Sequence, residues 1–154
     1  SKFFIMMANT NLNLWLVDDD EDDRLFFSEG LESLNYRNIL REFINGKEAL
    51  ISLEKNIDTL PDIIFLDLNM PIMDGLETLD YIRKSEKLKH IIIAIYSTSS
   101  AMTDIQRAYD KGANLYVIKP CRFLDLKNCM QKILSMNWPD FLCNFKKEDF
   151  LLKV

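Results

Sequence analysis

The chain has 154 residues, 48% hydrophobic and 28% charged, with a formal net charge of −5. That is the composition of an ordinary globular domain, which excludes a disordered chain, and the length is enough to bury one core without metal or disulfide staples. The acidic balance argues against a nucleic acid or an anionic membrane as direct partner, since both reward clustered Lys and Arg.

The three cysteines, Cys121, Cys129 and Cys143, show no C-x-x-C spacing. They fit a reducing compartment better than a disulfide framework, so a cytoplasmic location is expected. No apolar run approaches the roughly 20 residues of a membrane span. Residues 1–11 carry the short apolar stretch Phe3–Met7 without a small-residue cleavage site. They read as a leader or as residues left over from cloning, outside the fold, and not as a signal peptide.

Leu12–Val17 (LNLWLV) is a short apolar run ending abruptly in acid, which predicts a buried strand. Asp22–Leu34 follows as an amphipathic helix with acid in its first turn, a placement the helix dipole favours. Ile39–Ile44 predicts a second strand, ended by Asn45-Gly46, and Lys47–Lys55 a helix with Ala49, Leu50 and Leu53 inward. Pro61 precedes Ile63–Leu66, the most uniformly apolar strand. A loop with Met70-Pro71 and Asp74-Gly75 leads to a helix over Leu76–Lys84. Ile91–Tyr96 is a fourth strand, and Met102–Lys111 a helix closed by Gly112, a residue free to take a left-handed C′ conformation. Leu115–Ile118 is the fifth strand and Phe123–Met136 the last helix.

Continuous apolar strands alternating with helices imply a parallel sheet covered on both faces, an α/β doubly wound fold. In such sheets ligands bind beyond the carboxyl ends of the strands, where the strand order reverses. The tail, residues 137–154, lies outside the alternation and mixes Trp138, Phe141, Phe145 and Phe150 with charge. It is expected to dock on the domain or to mediate contacts, and no separate output domain is expected.

The strand ends carry the chemistry. Strand one runs into six consecutive acids, Asp18–Asp23; strand three ends in Asp67, strand four in Ser97-Thr98, strand five in Lys119. Hard oxygen donors without nearby His or Cys favour Mg2+ or Mn2+ over zinc. A solvated acidic loop at a helix N-terminus accounts for Glu21 to Asp23, but not for Asp18 and Asp19 directly after a buried strand, where like charges crowd at a cost unless a cation binds. Asp67 is either a turn or capping aspartate, a role better suited to Asp74 beside Gly75, or a nucleophile that forms an acyl phosphate beside a metal. Phosphoryl transfer mainly needs positioning and charge neutralisation, which a divalent cation, Lys119 and a Ser97 hydroxyl supply. The Lys119-Pro120 bond, at a tight turn, is a candidate for the cis form.

Four segments in order, LWLVDDD (Leu14–Asp20), IIFLDLNMPIMDG (Ile63–Gly75), IYSTSS (Ile95–Ser100) and LYVIKP (Leu115–Pro120), resemble the receiver domain of two-component response regulators. Thirty positions separate Asp67 from Ser97, and 52 separate Asp67 from Lys119, both typical of that family. The resemblance covers residues 12–136. It implies a flavodoxin-like five-stranded sheet of order 2-1-3-4-5 and a phosphoacceptor signalling switch, catalysing only its own Mg2+-dependent phosphorylation and dephosphorylation. By the same resemblance Asp67 is the phosphoacceptor, Asp18 and Asp19 the acidic pair, and Asn69 contributes a backbone carbonyl to the Mg2+ (or Mn2+) shell. Ser97 is the switch hydroxyl, Tyr116 the aromatic switch residue and Lys119 the phosphoryl-contacting lysine. For Tyr116 a half-buried strand aromatic is the alternative. A sensor histidine kinase or phosphotransfer protein, a downstream protein target and a possible homodimer are the implied partners.

Three rivals remain. A haloacid-dehalogenase-type phosphohydrolase needs a second aspartate two positions after its nucleophile, where this chain has Asn69. An unphosphorylated pseudo-receiver usually lacks an acid or the lysine, both present here. An FMN-binding protein needs a phosphate loop where this chain has six acids that would repel the phosphate.

Overall fold

A computed structural model describes residues 11–153. The expectation for residues 1–11 therefore lies outside the described residues, Asn11 excepted. The elements are β1 (Leu12–Val17), α1 (Glu21–Glu32), β2 (Asn38–Phe43), α2 (Gly46–Lys55), β3 (Ile63–Leu66), α3 (Gly75–Lys84), β4 (Ile92–Ser97), α4 (Met102–Asp110), β5 (Leu115–Ile118), α5 (Phe123–Leu134) and a short α6 (Trp138–Cys143). The strands form one parallel sheet of order β2-β1-β3-β4-β5, as expected.

The period-two geometry of a strand divides its side chains between two cores. Leu12, Leu14, Leu16, Ile63, Phe65, Ile92, Ala94 and Tyr96 pack with Phe27 and Leu31 of α1 and with Leu126, Met130 and Ile133 of α5. Trp15, Val17, Ile64, Leu66, Ile93, Ile95 and Tyr116 pack with Leu50 and Leu53 of α2, Leu79 and Ile82 of α3, and Ile105 of α4. β1, β3 and β4 are nearly uniformly apolar because both of their faces are covered. β2 (NILREF) is an edge strand whose Ile39 and Arg41 face solvent.

Local signals set the boundaries. Asp20, Asn45 and Asp74 cap α1, α2 and α3, each accepting from the backbone N–H three residues on. The Asp74–Glu77 pair forms a full capping box. Gly112 closes α4 at φ 93°, the left-handed region expected of it. No cis peptide occurs among the described residues, so the Lys119-Pro120 bond is trans, and the cis form considered for it is not adopted.

The tail is structured and docks on the domain, through contacts the sequence does not specify. Asn137 caps α6, and Trp138 is buried with its indole N–H donating to the Ile133 carbonyl. The chain then runs alongside β5. Tyr116 N–H donates to the Phe150 carbonyl at 2.8 Å, and Leu152 N–H to the Tyr116 carbonyl at 2.9 Å, a parallel bridge on the outer edge of β5. Phe150 is buried against Tyr109 and Tyr116, and Lys147 Nζ lies 5.2 Å from the Tyr109 ring centroid. The bridge covers part of an edge that would otherwise offer unpaired N–H and C=O groups.

Behind the sheet, Arg83 at the end of α3 ties three segments together. It donates to the carbonyls of Gly112, Lys89 and Ile91 and to Asn114 Oδ1 at 2.7 to 2.9 Å. Burial pulls its pKa down to about 10.

Candidate functional site

Parallel strands place their carboxyl ends at one edge, and four backbone hydrogen bonds extend the ladder past the formal strand ends. Asp18 N–H donates to Phe43 O, Asp67 N–H to Val17 O, Lys119 N–H to Ser97 O, and Asn114 N–H to Ile93 O at the opposite edge. Asp18, Asp67, Ser97 and Lys119 therefore leave neighbouring strands at one level. Gly75 holds the loop after β3 in place: its N–H donates to Leu68 O at 2.8 Å, and a Cβ there would lie 2.1 Å from the Asp67 carbonyl oxygen. Within the same loop Ile72 is exposed at φ 71°, a strained conformation for a β-branched residue.

Asp18 is wholly buried, Asp67 nearly so, and Asp19 exposed. Each offers a carboxylate oxygen within 4.8 Å of the others. This is a donor set of hard oxygens only, suited to Mg2+ or Mn2+. Lys119 lies against it, with Nζ 2.7 Å from Asp18 Oδ2, 2.8 Å from Asp23 Oδ2 and 3.6 Å from Asp67 Oδ2.

Burial pushes the Asp67 carboxyl up to about 7; Lys119 opposes this, the Asp18 carboxylate adds to it, and the hydrogen bond from Leu68 N–H lowers it again. Without a cation the carboxylates crowd at a cost, and a divalent ion would relieve both the desolvation and the repulsion. Lys119 feels burial, which lowers its pKa, but hydrogen bonds to Asp18 and Asp23 outweigh it and hold the ammonium above its ordinary value.

Ser97 is fully buried and its Oγ accepts from Ser99 N–H at 3.2 Å. Tyr116 is also fully buried, where sequence reasoning allowed a half-buried aromatic, and its hydroxyl donates to the Ser99 carbonyl at 2.8 Å. Burial raises its pKa. Asn69 lies two residues past Asp67 in the exposed part of the loop.

Lys119 lies within ion-pair range of Asp67 at 3.6 Å, while its shortest contacts are to Asp18 and Asp23. The acidic run predicts a solvated helix-terminus acid at Asp23, but Asp23 is half-buried and faces Lys119 from the first turn of α1. Counting along the helix from its Asp20 cap would have hinted at an inward position, but not at the partner 96 residues away.

Among the described residues no helix is long and apolar enough to cross a membrane. The family model for the response regulator receiver domain matches residues 14–131. The chain is 33% identical, over 84% of its length and 85% of the relative's, to a probable methanogenesis regulatory protein, FilR2, of Methanothrix harundinacea. Among solved structures it is similar to the Mn2+-bound form of response regulator Rcp1, with 26% identity and a TM-score of 0.74 over 81% of this chain and 96% of that one. It is also similar to the phosphorylated cyanobacterial phytochrome response regulator RcpA, with 28% identity and a TM-score of 0.72 over 89% and 97% of the two chains. With the strand order, the clustered carboxylates and the lysine beside them, these matches lead to one conclusion: the chain belongs to the response regulator receiver domain family of two-component systems.

Proposed function

We propose that this protein is a phosphoacceptor switch in which Asp67 receives a phosphoryl group from a sensor histidine kinase or phosphotransfer protein. The observation that carries the reading is the convergence of Asp18, Asp19 and Asp67 within 4.8 Å, with Lys119 Nζ 3.6 Å from Asp67. Asp18, Asp19, Asp67 and the Asn69 carbonyl would hold Mg2+ or Mn2+. When bound, the cation neutralises the carboxylates and the transferring phosphoryl oxygens.

Asp67 attacks phosphorus as the P–N bond of the donor phosphohistidine breaks. The imidazole leaves and is protonated, and Asp67 becomes an acyl phosphate. Lys119 compensates part of the new charge as a point cation, and the Ser97 hydroxyl donates to the phosphoryl group. Drawing Ser97 toward the phosphate disturbs the turn at Ser99, on which the Tyr116 hydroxyl rests. Tyr116 thereby links the phosphorylation state to the face formed by α4, β5 and α5, where a downstream protein or a second copy would bind. Residues 12–136 are the receiver and residues 137–154 an extension, docked on it over residues 137–153.

Incubation with Mg2+ and acetyl phosphate, or with a partner kinase, should add the mass of one phosphoryl group, and Asp67→Asn should abolish the gain. Equal labelling of the variant would refute the assignment.

A further inference from the structure

The lysine at the site is shared unevenly. Its ammonium has three N–H donors, and its two short contacts, at 2.7 and 2.8 Å, go to Asp18 and Asp23. Asp67, the proposed acceptor, lies at 3.6 Å, beyond hydrogen-bond distance. Asp18 belongs to the carboxylate cluster and has a role there. Asp23 does not: it stands one helical turn outside, on α1, and its side chain is 38% exposed while that of Lys119 is 7% exposed. Its position is built rather than incidental. Asp20 caps α1 by accepting the Asp23 N–H at 3.0 Å, so the backbone that carries the Asp23 carboxylate is fixed. The Lys119 ammonium also lies 5.7 Å from the Tyr96 ring centroid.

We propose that Asp23 is a positioning residue that holds Lys119 in a resting place, so that binding of a phosphoryl group at Asp67 must compete with Asp23 for the ammonium. The inference rests on the phosphoacceptor reading of Asp67. With Asp18 and Asp23 holding two of the three Lys119 donors, a dianionic phosphoryl group is left with one unless Asp23 yields, and it places further negative charge near the Asp23 carboxylate. Both effects oppose the phosphorylated state. Asp23 therefore lowers the stability of that state and shortens its lifetime, without being required for the chemistry.

The test uses the full chain with Mg2+ and beryllofluoride, a phosphoryl mimic, with binding measured by calorimetry. Asp23→Asn removes the competing charge while keeping the size of the side chain. Because the pair is half-exposed, its loss should tighten beryllofluoride binding only about two- to fivefold. Asp23→Glu, which restores a carboxylate, should return affinity toward that of the wild type. Asp22→Asn removes an equal charge from an exposed neighbour in the same turn, and should change affinity less than Asp23→Asn. Mg2+ affinity measured without beryllofluoride separates an effect on the ammonium from one on the metal cluster, and should be nearly the same in all three variants.

Equal tightening in Asp22→Asn and Asp23→Asn would reduce the effect to a diffuse field and overturn the proposal. So would unchanged or weaker binding in Asp23→Asn. If the wild type itself does not bind beryllofluoride, or binds it equally well as Asp67→Asn, the phosphoacceptor reading fails first, a result distinct from failure of the Asp23 inference alone.

Discussion

Replacing Asp67 by Asn should stabilise the metal-free protein, and by an amount that depends on pH. The folded state holds the Asp67 proton up to about pH 7, whereas its ordinary value is 3.8. Between these values the unfolded chain binds fewer protons than the folded one, so this group makes stability fall as pH rises. Below pH 4 both states are protonated and nothing is lost. Above pH 7 the full cost is present. A shift of about three units at ~1.36 kcal/mol each sets an upper bound near 4 kcal/mol, and relaxation of the site brings the expected loss to about 2–4 kcal/mol.

Asn keeps the shape of the side chain and an oxygen able to accept from Leu68 N–H, but carries no charge. Lys119 retains Asp18 and Asp23, so the substitution does not leave a buried cation unpaired. Urea unfolding followed by the fluorescence of the buried Trp15 and Trp138, with EDTA present, measures the difference. The variant should match the wild type near pH 4 and exceed it progressively toward pH 8, while titrations common to both proteins cancel. Adding Mg2+ at pH 8 should restore wild-type stability by mass action, about 2.7 kcal/mol at a hundred times Kd, and help the variant less. A pH-independent gap between the two, or a wild type that gains on the variant as pH rises, would refute the electrostatic account of this site.

Two further expectations concern the scaffold. Arg83→Met leaves four carbonyl-type acceptors on two segments without their shared donor and should cost about 2–4 kcal/mol, read as a lower urea midpoint with an unchanged slope. Phe150→Ala should cost about 3 kcal/mol, with amide exchange rising over residues 147–152 and at Tyr116 while β1 and β3 stay protected, because Phe150 and its neighbours touch the domain at the β5 edge and not at its centre.

Much of the architecture and of the reaction edge follows from local patterns along the chain. LNLWLV, IIFL, IIAIYS and LYVI are nearly uniformly apolar because both sheet faces are covered, and that composition announces buried parallel strands without reference to anything distant. Acids, a hydroxyl and a lysine directly after those runs then have to meet at the carboxyl edge, since parallel strands all end there. Asp74 and Gly75 marked the start of α3 through capping chemistry that spans four residues. Only the tertiary structure decided which partners those groups choose. Lys119 settles on Asp18 and Asp23, Arg83 reaches the Gly112 carbonyl and Asn114 Oδ1 in the turn before β5, and the tail pairs with Tyr116. Each of these contacts joins residues well separated in the chain, and side-chain length and charge allow many alternatives. Helix packing over the sheet brings one set of partners within hydrogen-bond reach and leaves the others too far away.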